Sequence, residues 1–161
     1  MIIRRAEQAD AASMWEIISS ANERGDTLPF SDEFDRDTFQ LHWFTTEPAF
    51  VAETDEGVIG MYKMGANFPG RGDHVANATY VVSAESQGKG VGRALVNHSL
   101  DEARANGFKA MQFNFVVSTN APAVELYKKL GFSIVGTLPK AFRHKELGFV
   151  DAYVMYLDLG G

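Results

Sequence analysis

The 161-residue sequence contains no cysteine. That excludes disulfide cross-links, a thiolate nucleophile and a cysteine-ligated zinc site. The four histidines, His42, His74, His98 and His144, are scattered and form no ligand pair at helical spacing, so no metal is expected. Basic residues are in the minority: 15 Lys and Arg against 21 Asp and Glu leave a formal net charge of −6. This disfavours a nucleic-acid partner, whose phosphates need a basic face. Long apolar runs are also missing. The segment Met1 to Asp10 lacks the apolar stretch of a secretory signal, and no run approaches membrane-spanning length. The expectation is a cytoplasmic protein with no membrane partner. In that setting Asn77-Ala78-Thr79 is not a glycosylation site, and Arg71-Gly72-Asp73 reads as a turn.

What remains is 45% hydrophobic and 22% charged, the composition of a globular domain, and the length suits a single domain over 1–161. Ile2 and Ile3 suggest a first strand. Asp10 is placed to cap a helix from about Ala11 to Arg24, with Gly25 ending it. After the break at Leu28-Pro29-Phe30, Ser31 or Asp32 is placed to cap a second helix reaching about Phe44. Phe50 to Glu53 and Val58 to Tyr62 read as strands joined by a turn at Asp55-Glu56-Gly57. Ala66 to Asp73 reads as loop, and Val75 to Val82 as a strand. A helix from Gly90 to about Asn106 and a strand from Ala110 to Val117 follow. A further helix, Ala121 to Leu130, has Asn120 in the capping position and Pro122 near its start. Strands at Phe132 to Leu138 and Phe149 to Leu157 flank a polar loop. The alternation of strand and helix predicts a mixed α/β domain.

Between the strand ending at Val82 and the helix beginning near Gly90 lies Ser86-Gln87-Gly88-Lys89-Gly90-Val91-Gly92-Arg93. A glycine loop opening a helix is suited to an anion. The first helical N–H groups are unpaired, the helix dipole favours negative charge, and glycine removes Cβ atoms from the approach. Lys89 is followed by glycine rather than Ser or Thr, which excludes a nucleotide P-loop. The glycine spacing also fails the dinucleotide fingerprint G-x-G-x-x-G.

The pattern that fits is Q-x-x-G-x-G, carried by Gln87, Gly90 and Gly92. It resembles the pyrophosphate-binding motif of the GCN5-related N-acetyltransferases, which use acetyl-CoA. A second element, Asn120-Ala121-Pro122-Ala123-Val124-Glu125-Leu126-Tyr127-Lys128-Lys129-Leu130-Gly131-Phe132, resembles that family's N-x-x-A-x-x-L-Y-x-x-x-G-F. Helix packing alone accounts for the apolar spacing of Ala123, Leu126, Tyr127 and Leu130. It does not account for Asn120, Tyr127 and Gly131-Phe132 together behind such a loop. The chain is identified as a member of the family, closely over about residues 75 to 138. The resemblance implies a GNAT-type single α/β domain. Its mixed, mostly antiparallel central sheet is flanked by helices, with splayed central strands that bind acyl-CoA.

The resemblance also implies roles. The backbone from Gln87 through Gly88, Lys89, Gly90 and Val91 to Gly92 would hold the pyrophosphate of acetyl-CoA. Tyr80, Val81 and Val82 would pair with the pantetheine arm, with the Tyr80 N–H a candidate donor to the acetyl oxygen. Tyr127 would be the catalytic proton donor to the departing thiolate. The Asn120 amide would reach the sulfur or the pantetheine, cap its helix, or do both. Acetyl-CoA is the expected cosubstrate. Many members carry a glutamate on the strand before the glycine loop, but Val75 to Val82 has no acid. Glu53 and His74 are the candidates for a base, directly or through water, and neither is singled out.

Asn77 lies inside an apolar strand, where period two places it on one face with Thr79 and Val81, and Asn114 alternates with Phe113 and Phe115. Such amides are either satisfied by neighbouring backbone or line a pocket. The spacing of Asn77, Asn114 and Asn120 resembles yeast-type enzymes that acetylate proline analogues such as azetidine-2-carboxylate and cis-4-hydroxyproline. That implies a substrate-binding set in which Asn77 holds a carboxylate and the backbone at Asn114 and Phe115 assists. The expected function is direct acetyl transfer to a small amine or imino acid. The alternatives are a protein, peptide or amine-drug acceptor, and a non-catalytic acyl-CoA-binding sensor. A homodimer through the final strands or the aromatic-rich C-terminal half is the expected self-association.

Overall fold

The computed structural model describes residues 1–160; Gly161, the last residue of the expected domain, lies outside them. In chain order the elements are β1 (Ile2–Arg5), α1 (Ala11–Arg24), α2 (Arg36–Phe44), β2 (Ala49–Thr54), β3 (Gly57–Ala66), β4 (Val75–Val82), α3 (Val91–Ala105), β5 (Ala110–Val117), α4 (Ala121–Lys129), β6 (Ser133–His144) and β7 (Gly148–Asp158). The strands form one sheet in the order β1-β2-β3-β4-β5-β7-β6. Every neighbouring pair is antiparallel except β4 and β5.

Strand alternation sends side chains to two apolar layers. One face carries Val51, Met61 and Val81 against Met14 and Ile18 of α1 and Phe39 and Trp43 of α2. The other carries Tyr62, Ala78, Met111 and Phe113 against Leu95, Val96 and Leu100 of α3 and Val124 of α4. Two tyrosines tie α3 to the sheet. The Tyr62 hydroxyl lies 2.8 Å from His98 Nδ1, and the Tyr80 hydroxyl lies 2.6 Å from Ser99 Oγ. Ser99 spends its own proton on the Val96 carbonyl at 2.7 Å, so Tyr80 donates to Ser99.

The parallel pair determines the site. β4 and β5 are in register only at Val75↔Ala110 and Ala76↔Met111. Beyond that point β4 keeps its partner β3 as far as Val82, and β5 keeps β7. The two strands therefore separate for most of their length, as the splay expectation requires. At the parting point Asn77 Nδ2 donates to the Gln112 carbonyl at 2.9 Å, a side chain standing in for the next rung. β5 then loses register with β7 between Phe113 and Val116. This bulge bends the strand and frees the backbone of Asn114 and Phe115 from the ladder.

Three local expectations are corrected. α2 begins at Arg36 rather than after Ser31 or Asp32, because Asp35 accepts from Thr38 N at 2.8 Å, while Phe30 stacks on Phe34 at 4.4 Å and folds the intervening residues into a turn. β3 runs on to Ala66, because β4 pairs with it as far as Ala66↔Ala76. β6 and β7 extend through most of the expected polar loop. Lys140, at φ 53°, donates its N–H to Asp151 Oδ1 at 2.9 Å, which absorbs the irregularity after Pro139, and Phe142 returns to the interior.

Candidate active site

A cleft of about 740 Å³ opens where β4 and β5 part. One half is built from the end of β4, the glycine loop and α4. Gly88 and Gly90 take φ of 74° and 82°, and a Cβ on either would project into open space. Ser86 N and Gln87 N turn back to Ser83 O and Ala84 O, and the first helical bond of α3 is Ala94 N to Gly90 O. Between them, the N–H groups from Gly88 to Arg93 have no backbone acceptor among the described residues. Several unpaired donors thus stand at a helix N-terminus, with open space over Gly88 and Gly90. That arrangement fits a pyrophosphate. The β5-facing edge of β4 past Ala76 likewise has no strand partner, which fits an extended amide-bearing arm such as pantetheine.

Tyr127 enters from α4. Its ring packs on Phe113 at 4.6 Å, Phe132 at 5.8 Å and Tyr80 at 6.4 Å between centroids. Gly131, at φ 99°, ends α4 and lets Phe132 N bond Tyr127 O at 3.0 Å. The Gly-Phe pair therefore sets the position of the tyrosine. Burial pushes the Tyr127 hydroxyl well above an ordinary phenol, so it stays protonated. Among the described residues it has no hydrogen-bond partner within the chain. Asn120 occupies the N-cap position of α4, but its side chain makes no capping bond, and it lines the cleft.

The other half of the cleft is largely not legible in the sequence. The end of α1 contributes Arg24 and the segment after it Asp26, Thr27, Leu28 and Phe30; α2 contributes His42, β3 Lys63, and β6 His144. No local motif announces these residues, because tertiary packing alone brings them together. Asn77 and Thr79 line this half from β4, and Asn114 and Phe115 from β5. One Asn77 N–H is committed to Gln112, so its carbonyl oxygen and second N–H remain. Asn114 donates to Asn67 Oδ1 and accepts from Gln112 Nε2 at 2.9 Å. The two base candidates lie elsewhere. Glu53 is bound to Arg4 Nε at 2.9 Å on the β1 side of the sheet, which holds its carboxyl below the usual range. His74 precedes β4 at the far end, where its carbonyl accepts from Lys109 N. Among the described residues no group of three or more His, Asp or Glu could hold a metal, and no helix is long and apolar enough to cross a membrane.

Residues 12–132 match the family model of the acetyltransferase (GNAT) family. The chain is 38% identical over 98 residues to the N-acetyltransferase aca1 of Schizosaccharomyces pombe, covering 60% of this chain and 47% of that protein, so it spans about half that relative's length. It is 32% identical over 147 residues to the L-methionine sulfoximine/L-methionine sulfone acetyltransferase of Salmonella typhimurium, covering 87% and 84%. A GCN5-related N-acetyltransferase from Kribbella flavida superposes with a TM-score of 0.93 at 38% identity, covering 98% and 96%. The yncA acetyltransferase of Salmonella typhimurium, solved with its cofactor acetyl-CoA, superposes with a TM-score of 0.87 at 28% identity, covering 100% and 95%. With the splayed strands, the open glycine cradle and the tyrosine of α4, these likenesses place the chain in the GNAT acetyltransferase family, as an N-acetyltransferase.

Proposed function

We propose that the protein transfers the acetyl group of acetyl-CoA directly to the amine of a small, amino-acid-like acceptor. The observation that carries the size of the acceptor is a tie across the acceptor half of the cleft. At the tip between β6 and β7, Lys145 N donates to Gly25 O at 2.9 Å and Lys145 Nζ to Glu23 O at 3.0 Å. The segment after α1 and the end of β6 both line the cleft, and this tie joins them into a continuous wall. A long peptide would need that side open. The similarity to a methionine sulfone acetyltransferase over most of both chains supports the same class.

The amine nitrogen attacks the thioester carbonyl carbon, the carbon–sulfur bond breaks, and the amine proton passes to solvent through the open side of the cleft. Backbone donors on the unpaired edge of β4, Tyr80 N–H among them, face the developing oxyanion. Tyr127, held protonated by burial, donates a hydrogen bond to the departing sulfur, and the Asn120 amide assists. A phenol pushed this high favours a strong hydrogen bond over complete proton transfer to a thiolate whose ordinary pKa is about 8.5. The retained tyrosine and asparagine favour an enzyme over a non-catalytic sensor. The reading is tested by following thiol release from acetyl-CoA with L-amino acids, azetidine-2-carboxylate, cis-4-hydroxyproline, polyamines, aminoglycosides and short peptides. Release with amino or imino acids is expected. Release with peptides alone overturns the small-acceptor reading.

A further inference from the structure

Three side chains that carry a fixed positive charge line the cleft: Arg24, Lys63 and Arg93. Arg93 stands in the first turn of α3, beside the glycine cradle. Arg24 has an acid beside it, with Nε 3.7 Å from Asp26 Oδ1. Lys63 differs. It is half-buried on β3, and its ammonium donates to the His42 carbonyl at 3.1 Å and sits 5.8 Å over the Trp43 ring. That contact uses one of its three protons. No carboxylate lies within 4.0 Å of it among the described residues. Glu47, which packs against Gly65 two residues along the strand, acts on Lys63 only at longer range. Burial lowers the Lys63 pKa, and the charge of Glu47 offsets part of that shift.

The register places this cation at the acceptor. Lys63 is directly opposite Thr79, and Asn77 is its diagonal neighbour on the same face of the sheet, opposite Gly65. Both Thr79 and Asn77 line the cleft. We infer that Lys63 is the anion-receiving group of the acceptor pocket and takes the carboxylate of the amino acid, with the free Asn77 N–H alongside. This rests on the amino-acid reading above and makes it specific: acceptors bearing a carboxylate are selected over their neutral amides. A half-buried ammonium with no carboxylate in contact gains from an arriving anion, whereas a carboxamide brings it no charge.

The test compares each amino acid accepted by the wild type with its own carboxamide, starting from L-methionine sulfone, L-phenylalanine and azetidine-2-carboxylate. The variants are Lys63→Met, which keeps the alkyl stem over Trp43, and Lys63→Arg, which keeps the charge. The wild type is expected to favour the acid. Lys63→Met should lower kcat/KM for the acid by about ten- to hundredfold, chiefly through KM, and leave the amide little changed. Lys63→Arg should retain the preference for the acid. A loss shared equally by acid and amide would mark Lys63 as structural and overturn the inference. An acid-to-amide ratio that survives in Lys63→Met overturns it too, while leaving the amino-acid reading intact. If the wild type acetylates none of the amino acids but does acetylate peptides or simple amines, both fall.

Discussion

Replacing Tyr127 by phenylalanine isolates one hydroxyl. The ring contacts with Phe113, Phe132 and Tyr80 need only the aromatic body, so the variant should fold and melt like the wild type. The hydroxyl has no partner within the chain among the described residues, so its removal leaves no buried group unsatisfied. What is lost is a hydrogen bond to a developing thiolate. A hydrogen bond to a charged group contributes about 1.5–3 kcal/mol. At about 1.4 kcal/mol per tenfold in rate, kcat should fall by about ten- to 150-fold. The KM for acetyl-CoA should hardly move, because the bond strengthens only as sulfur becomes anionic. Thiol release is a clean assay, since the chain has no cysteine of its own. Equal kcat in the two proteins would refute the assignment. The pH profile gives a second check. Because burial raises the Tyr127 pKa well above 10, the hydroxyl stays protonated through the working range and should produce no fall in kcat near pH 9 to 10. A fall at that pH in the wild type that disappeared in Tyr127→Phe would show the phenol titrating normally, and the burial argument would fail.

Gly25→Ala attacks the wall of the acceptor pocket. At φ 62° the alanine is strained by about 1–2 kcal/mol, and its Cβ would meet Lys145 Cβ at 2.7 Å, so the β6–β7 tip should lift. Lower thermal stability and a raised acceptor KM with unchanged acetyl-CoA KM are expected; equal effects on both KM values would contradict the tie. Gly90→Ala meets no protein atom within 4 Å, but at φ 82° it is strained as Gly25→Ala is and it fills the cradle, so stability should fall and acetyl-CoA KM should rise several-fold in initial-rate assays while acceptor KM holds. Asn77→Ala removes the side-chain rung at the splay, about 1 kcal/mol, and should raise acceptor KM. If only acetyl-CoA KM rises, Asn77 belongs to the splay alone. Asp10 is held below the usual carboxylate range by hydrogen bonds from Arg4, so its stabilisation is present above the unfolded value near pH 4 and is lost as pH falls through the folded value. Asp10→Asn should therefore cost about 1–3 kcal/mol in urea unfolding at pH 7, with the difference shrinking below about pH 4. A constant difference down to about pH 2 would refute this.

The division between what the sequence discloses and what it hides follows from how each half of the cleft is made. The cofactor half is local. The glycines, the helix start and the Asn120-to-Phe132 element are contiguous in the chain, so backbone chemistry alone makes them readable, and the strands Val75–Val82 and Ala110–Val117 emerge with their observed limits. Even here one detail misleads: Asn120 sits where a cap belongs, yet its side chain makes no capping bond. The acceptor half is not local. Arg24, Asp26, His42, Lys63 and His144 come from four separate parts of the chain, and none belongs to a motif. Lys63 shows the reason. A strand read from local preference stops at Tyr62, because a lysine and then Gly65 interrupt the apolar pattern. Pairing with β4 carries β3 four residues further, and that extension places the ammonium opposite Thr79 in the cleft. The charge that interrupts the apolar pattern at Lys63 hides the rest of the strand, and only the pairing with β4 shows where the lysine lies.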